Sequence, residues 1–206
     1  MPAAAAELVR VRPGLFIWQN YDPAVKADLV STGIRVPAGV YLIDPIPLAD
    51  AQLSRLREEG SVAGIVVTNA NHQRAALSYS EKFSAPIFAH RDSFPDTKLS
   101  LFVEIAEAVK IGEELEAIEI EGAVAGEITL YHPAHGGVLI VGDALINFEP
   151  YGFTFLPRKY CLNGKKMRQS LRKLLTRTAE RLLFAHGAPI LSRATARLRN
   201  LVDVDL

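Results

Sequence analysis

IVVTNANHQRAA (65–76), VLIVGDALI (138–146) and RLLFAHGAPI (181–190) share one layout, and that layout decides the fold. In each, an apolar run ends in a polar, turn-forming tip. The stretch VAGIVVT (62–68), which leads into the first tip, is almost wholly apolar, the pattern of a strand buried on both faces. Ligand-binding and catalytic groups sit at strand ends of this kind, on loops held by a rigid sheet. Asp143 closes the second run and His186 the third. A carboxylate and an imidazole at matching positions suit metal ligation or an acid–base pair. Each also has a structural reading, since Asp after Gly is a common turn residue and His at a strand end is often simply hydrogen-bonded.

Working outward, LFIW (15–18), VYLID (40–44) and PIF (86–88) read as further strands, the second stopped by Pro45 and Pro47. Helical spacing over 48–59, with Gly60 as its stop, and over 71–83 places helices between them. AIEIEG (117–122), GEITLYHP (126–133) and GGVLIVGDAL (136–145) read as consecutive strands, the last two joined at Ala134-His135-Gly136-Gly137. Helices are expected over 165–176 and again after Leu191, while 98–111 fits helix or loop. Helices interspersed with sequentially adjacent strands indicate an α/β sandwich, and 206 residues fit one domain spanning 1–206.

Composition narrows the function classes. Twenty-three Lys/Arg balance twenty-three Asp/Glu, which argues against a general polyanion binder. A lone cysteine, Cys161, excludes an intrachain disulfide and any multi-cysteine zinc knuckle. No apolar run reaches the roughly 18–20 residues of a membrane span. The Ala-rich start meets Glu7 and Arg10 before any greasy stretch develops, so it does not read as a signal peptide, and a cytoplasmic protein is expected.

The order of these segments resembles the metallo-β-lactamase-fold family over nearly the whole chain. The resemblance is carried by YLIDP with Asp44, Thr68–Arg74, the Gly-bearing hairpin Ala123–Tyr131, Gly142-Asp143-Ala144 and His186-Gly187-Ala188-Pro189. It implies a four-layer αββα sandwich with its site on one edge, between two sheets. Laying the family's THxHxDH motif over Thr68–Arg74 puts Asn69 and Asn71 at the first two histidines, Gln73 at the aspartate and Arg74 at the last histidine. The next family histidine falls near Ala123. The bridging aspartate, Asp143, and the final histidine, His186, are kept, two of seven positions.

That replacement bears on metal binding. Amide oxygens are weak zinc donors, and a guanidinium has no lone pair. By Coulomb's law with an effective dielectric constant of about 20, an Arg about 4 Å from a dication costs on the order of 8 kcal/mol. No metal cofactor is therefore expected; zinc or another divalent ion remains an alternative, held by His72, Asp143 and His186. Arg74 is expected to take the metal's electrostatic place and to meet both Asp143 oxygens in a fork. Asn71 stands where it either caps a helix or meets a ligand, Asn69 either braces the loop or does the same, and His72 faces cleft or solvent.

Weaker candidates remain. His132 and His135 flank a turn read as solvated, and His90 reads as a buried polar or supporting residue. Cys161 lies among Arg158, Lys159, Lys165 and Lys166, which would lower its pKa. Trp18, Phe153 and Phe155 read as core or cleft wall. Residues 157–199 carry twelve Lys/Arg and only Glu180, whereas 101–127 carry eight Glu and only Lys110. These blocks either pair within the chain, match across a homo-oligomer interface or offer a basic face to phosphate-bearing ligands. They lack the regular aromatics of a nucleic-acid motif.

Three functions follow. One is binding of a small, anionic molecule through Asn69, Asn71, His72, Gln73, Arg74, Asp143 and His186, without di-zinc catalysis. The second is a hydrolase with one metal on His72, Asp143 and His186. The third is a non-catalytic interaction protein. Fold resemblance does not choose among them, so enzyme or not is left open here.

Overall fold

The computed structural model describes residues 4–95 and 102–204. In chain order its elements are β1 (Val9–Arg12), β2 (Leu15–Asp22), β3 (Ala27–Val36), β4 (Gly39–Ile43), α1 (Asp50–Arg57), β5 (Val62–Val67), α2 (Ala76–Phe83), β6 (Ile87–Ala89), β7 (Val103–Glu104) and β8 (Lys110–Ile111). They continue with β9 (Leu115–Glu119), β10 (Ile128–His132), β11 (Val138–Val141), β12 (Leu145–Phe148), β13 (Gly152–Phe155), α3 (Gly164–Leu171), β14 (Arg181–Phe184) and α4 (Ala194–Asp203).

One sheet runs β1 to β7 in sequence order, antiparallel through β4 and parallel from β4 onward. The other has the order β14-β11-β10-β9-β8, with β14 parallel to β11, and β12 and β13 form a separate hairpin. Three apolar clusters separate four layers. Leu53 and Leu56 of α1 and Ala76 and Tyr79 of α2 cover Leu42, Ile65 and Val67 on the outer face of the seven-stranded sheet. Ile43 and Val66 of that sheet meet Leu130, Ile140 and Leu183 between the sheets. Met167, Leu171 and Leu198 of α3 and α4 cover Leu139, Val141 and Phe184 on the far face. This is the expected αββα sandwich. The alternation of Ile65 and Val67 outward with Val66 inward explains why the 62–67 run is apolar throughout: both faces are covered.

The structure departs from the sequence reading in definite places. β3, ten residues long, falls where no element is expected, as does the β12–β13 hairpin. Residues 103–104 and 110–111 are short strands rather than helix or loop, and 96–101 lie outside the described residues. α2 begins at Ala76, not near Asn71, because Arg74 adopts a left-handed conformation (φ +38°) that breaks helical continuation.

The charge blocks pair within the chain: Lys166 with Glu121, Lys173 with Glu107 and Arg177 with Glu116. Trp18 is buried and donates its indole N–H to the Ile46 carbonyl. Phe153 and Phe155 belong to the core beneath α3 and α4. Among the described residues no helix is long and apolar enough to cross a membrane.

Candidate functional site

Two of the parallel strand pairs, β4–β5 and β11–β14, deliver the site. β4 and β5 end at Ile43 and Val67, and β11 and β14 end at Val141 and Phe184, so Asp44, Thr68, Asp143 and His186 emerge along one edge of the sandwich. Backbone bonds stitch the sheets there: Val30 N–H donates to the Ala185 carbonyl (2.8 Å) and Ile128 N–H to the Thr68 carbonyl (2.8 Å). Above the edge opens a cleft of about 990 Å³ with Asn71, His72, Arg74, Asp143 and His186 in its lining. Phe148, Tyr151, Leu156 and Tyr160 add apolar and aromatic wall, and Lys26 and Lys159 add positive charge.

His72 is buried at the centre. Its Nδ1 lies 2.9 Å from Asp44 Oδ2, and its Nε2 lies 3.2 Å from Asp143 Oδ1. Asp44 has a left-handed backbone (φ +47°), the strained geometry that functional positions tend to store. Its carboxylate also accepts from the Thr68 N–H (2.8 Å) and hydroxyl (2.6 Å). His186 Nε2 stands 3.3 Å from the same Asp143 Oδ1, while its Nδ1 donates to the Asp28 carbonyl at 3.0 Å. Asn71 donates its side-chain N–H to Asp143 Oδ2 (3.1 Å). Each imidazole thus has Nδ1 engaged by an acceptor and Nε2 turned to one carboxylate oxygen. His72, Asp143 and His186 each place one donor atom within 4.8 Å of the others. Such a convergence of acceptors needs a proton or another cation between them.

The charge states follow from the surroundings. Burial pushes His72 toward its neutral form, but the charge of Asp143, aided by Asp44 and opposed by Arg74, raises its pKa to about 9. Burial raises the Asp143 carboxyl, yet His72 and His186 hold it well below the usual range. Asp44 likewise lies below its ordinary value because His72, Arg74 and Thr68 outweigh burial.

Arg74 corrects one expectation. It does not fork onto Asp143. Its guanidinium donates to the backbone carbonyls of Val30 (2.7 Å) within β3, and of Asp44 (2.9 Å) and Ala185 (3.3 Å) just past the ends of β4 and β14, so it joins both sheets. His72, His186 and Asn71 already occupy the Asp143 oxygens, so the guanidinium satisfies carbonyls and acts on the carboxylates through its charge. Asn69 and Gln73 do not line the cleft. Asn69 is fully buried, accepts from the Asn71 N–H (2.9 Å) and donates to Glu127 Oε2 (2.6 Å), the loop-bracing role; Gln73 donates to the Ser93 carbonyl (2.8 Å). Asn71 caps no helix.

Sequence reasoning missed Glu127, which was read as one of eight acids in a charged block. It is buried, accepts from the Ala144 N–H (2.9 Å) and Asn69, and burial together with Asp143 pushes its pKa to about 8. Its place before the apolar strand β10, directly after Gly126, was the available signal. Gly142 makes room for this network. A Cβ there would stand 2.6 Å from Thr68 Oγ1, 2.8 Å from Glu127 Oε1 and 3.0 Å from Asn69 Nδ2. Gly142→Ala is accordingly expected to destabilise the fold by about 1–3 kcal/mol through overpacking, read as a lower urea midpoint at unchanged slope.

The remaining candidates lie elsewhere. His132 is buried and bonded to Glu114 (2.8 Å), not solvated, because the facing β8–β9 turn covers it. His135 occupies the turn itself at φ +57°. His90 accepts from the Asp92 N–H. Cys161 contradicts its expected activation: burial raises the thiol, outweighing Arg168, and Sγ faces the Leu156 carbonyl and Met167.

Comparison with known proteins agrees with this architecture. A sequence model of the metallo-beta-lactamase superfamily matches residues 8–204. Among solved structures, the DIM-1 metallo-beta-lactamase is 11% identical, with all of both chains covered and a TM-score of 0.75. A metallo-beta-lactamase from Pontibacter korlensis is 14% identical over 96% of this chain and 98% of that one, with a TM-score of 0.71. A metallo-beta-lactamase family protein from Thermus thermophilus is 19% identical over 95% and 80%, with a TM-score of 0.66. At such identities these structures speak to the fold alone. No curated protein matches the chain. Sandwich topology, strand-end site and a family match spanning almost every residue together make the chain a member of the metallo-beta-lactamase superfamily.

Proposed function

We propose that the cleft binds a small anionic molecule, with internal cations in place of the metal pair typical of the fold. The observation that carries this reading is Arg74, in the cleft lining and fixed on three backbone carbonyls from both sheets, beside a His72 held between two carboxylates. Two zinc ions do not fit these residues. The positions aligned with ligand histidines and aspartate bear amides and a guanidinium, and the Asn69 and Gln73 amides are engaged by Glu127 and Ser93. With His72 protonated, its charge and that of Arg74 balance Asp44 and Asp143, so the floor needs no external ion. Lys26 and Lys159, against the single further acid Asp22, then leave the lining net positive toward an anion, and Phe148, Tyr151 and Tyr160 offer apolar surface to its organic part.

A second reading rests on the converging donor atoms of His72, Asp143 and His186. These three residues would hold a single divalent ion, with Asp44 and the Asp28 carbonyl orienting the two rings, and the ion would supply an activated water. Metal analysis of tag-free protein separates the two. The first reading expects substoichiometric metal. It also expects stabilisation by anionic metabolites in a thermal-shift screen, about 2.7 kcal/mol at 100 times Kd, reduced in Lys159→Gln. One equivalent of tightly held metal, lost in His186→Ala, would replace it with the hydrolase reading.

A further inference from the structure

The opposite end of the sandwich carries a second concavity. It lies where β3 turns into β4, where β5 begins and where β10 ends, the far end of the strands whose other ends build the cleft. It measures about 610 Å³, and Arg12, Arg35, His132, Glu59 and Glu114 are the ionisable side chains lining it together with His135. A volume in this range suits a small ligand.

The charges there do not cancel. Glu59 pairs with Arg10, and Glu114 accepts a hydrogen bond from His132 Nε2, so neither acid is paired with Arg12 or Arg35. Arg12 and Arg35 are left over. Arg12 reaches only the Pro13 carbonyl through one terminal nitrogen (3.1 Å), and its Nε is buried without a hydrogen-bond partner among the described residues. The Arg35 side chain has no hydrogen-bond or ion-pair partner among them. The buried His132 is in the same condition at Nδ1, although its Nε2 holds Glu114. Arg181 adds a further positive field: together with burial, it lowers the Arg12 pKa. Arg12 and Arg35 thus line one concavity with no acid of their own, beside two buried nitrogens, Arg12 Nε and His132 Nδ1, that lack partners among the described residues.

The geometry points to a second binding site, for the phosphoryl group of a small molecule, between Arg12 and Arg35. A phosphoryl dianion presents three acceptor oxygens, and two guanidinium forks match them where a lone carboxylate would engage only one. The remaining volume leaves room for an organic substituent. This site is independent of the cleft on the other edge and of what that cleft binds.

The test is calorimetric titration at fixed ionic strength with two probes, inorganic phosphate and ribose 5-phosphate. Saturable binding is expected. It should weaken about tenfold or more in Arg35→Gln and in Arg12→Gln, each the loss of a charge-assisted contact, and survive in Lys159→Gln of the other cleft. Tighter binding of the ester identifies a phosphorylated small molecule as the ligand class; equal affinity identifies the free ion at the same site. Arg35 is exposed, so Arg35→Gln carries the result even if Arg12→Gln fails to fold. Full-strength binding in Arg35→Gln, loss of binding in Lys159→Gln instead, or no saturation of either probe below about 10 mM would overturn the proposal.

Discussion

Replacing Arg74 by methionine is expected to cost on the order of 3 kcal/mol, a fall in Tm of roughly 6–12 °C for a chain of this length. Methionine keeps much of the side-chain volume, so the loss is electrostatic. The Val30, Asp44 and Ala185 carbonyls lose their charged donor, and Asp44 and Asp143 lose one of their two balancing cations. Arg74→Lys is expected to recover little of this, because one ammonium does not reproduce a planar fork that bonds Val30, Asp44 and Ala185 together. A Tm within about 2 °C of the parent would mean that the guanidinium is not what compensates the buried carboxylates.

Stability is expected to peak on the acid side of neutrality and to fall steadily toward pH 9. The His72 pKa is about 9 in the fold against 6.5 ordinarily, so its stabilising contribution is complete below 6.5 and disappears as pH rises through 9. Glu127 acts in the same direction. With a folded pKa of about 8 against 4.5, it binds a proton more tightly in the fold, an advantage that is complete below 4.5 and gone above 8. Asp44 and Asp143 act oppositely: their depressed pKa values contribute stability above the ordinary carboxylate range and lose it on strong acidification. Each proton held only by the folded state changes stability by about 1.4 kcal/mol per pH unit. The urea midpoint should therefore be highest near about pH 5. His72→Gln should lower it there and flatten its decline between 6.5 and 9. A midpoint that rises from neutrality to pH 9 would refute the imidazolium assignment.

Most of the fold was legible because both halves of the site hang on strands with unambiguous apolar runs. Val62–Val67 is read nearly to its ends, while Val138–Val141 and Arg181–Phe184 stop short of the stretches 136–145 and 181–190 that mark them in the sequence. β3 was not, since ADLVSTGIRV has no alternation to read: Ser31 and Thr32 are buried, and Gly33 lies where a Cβ would press on Leu56 at 3.2 Å. Ser31 belongs there because its hydroxyl donates to the Asp44 carbonyl and accepts from the Ile46 N–H, a partnership between β3 and the loop after β4 that no local pattern encodes. The same holds in the site. Asp143 and His186 stood out as polar ends of apolar runs, and His72 came with the 68–74 loop at the tip of β5. The fork from Arg74 to Asp143 was misjudged because three carbonyls from distant segments, Val30, Asp44 and Ala185, compete for the guanidinium. Glu127 escaped because its burial depends on Asn69 and Ala144, 58 and 17 residues away.

The floor of the cleft is welded to both sheets, whereas one wall is the β12–β13 hairpin. That hairpin joins the rest of the site through Asn147, whose N–H meets the His186 carbonyl and whose own carbonyl accepts from the Ala188 N–H. A Cβ on Gly187 would overlap that Asn147 carbonyl, so the joint closes only around a glycine. Adaptation to a differently shaped guest therefore has one inexpensive route: rebuild the tip around Tyr151 and keep the anchor, leaving the machinery beneath untouched.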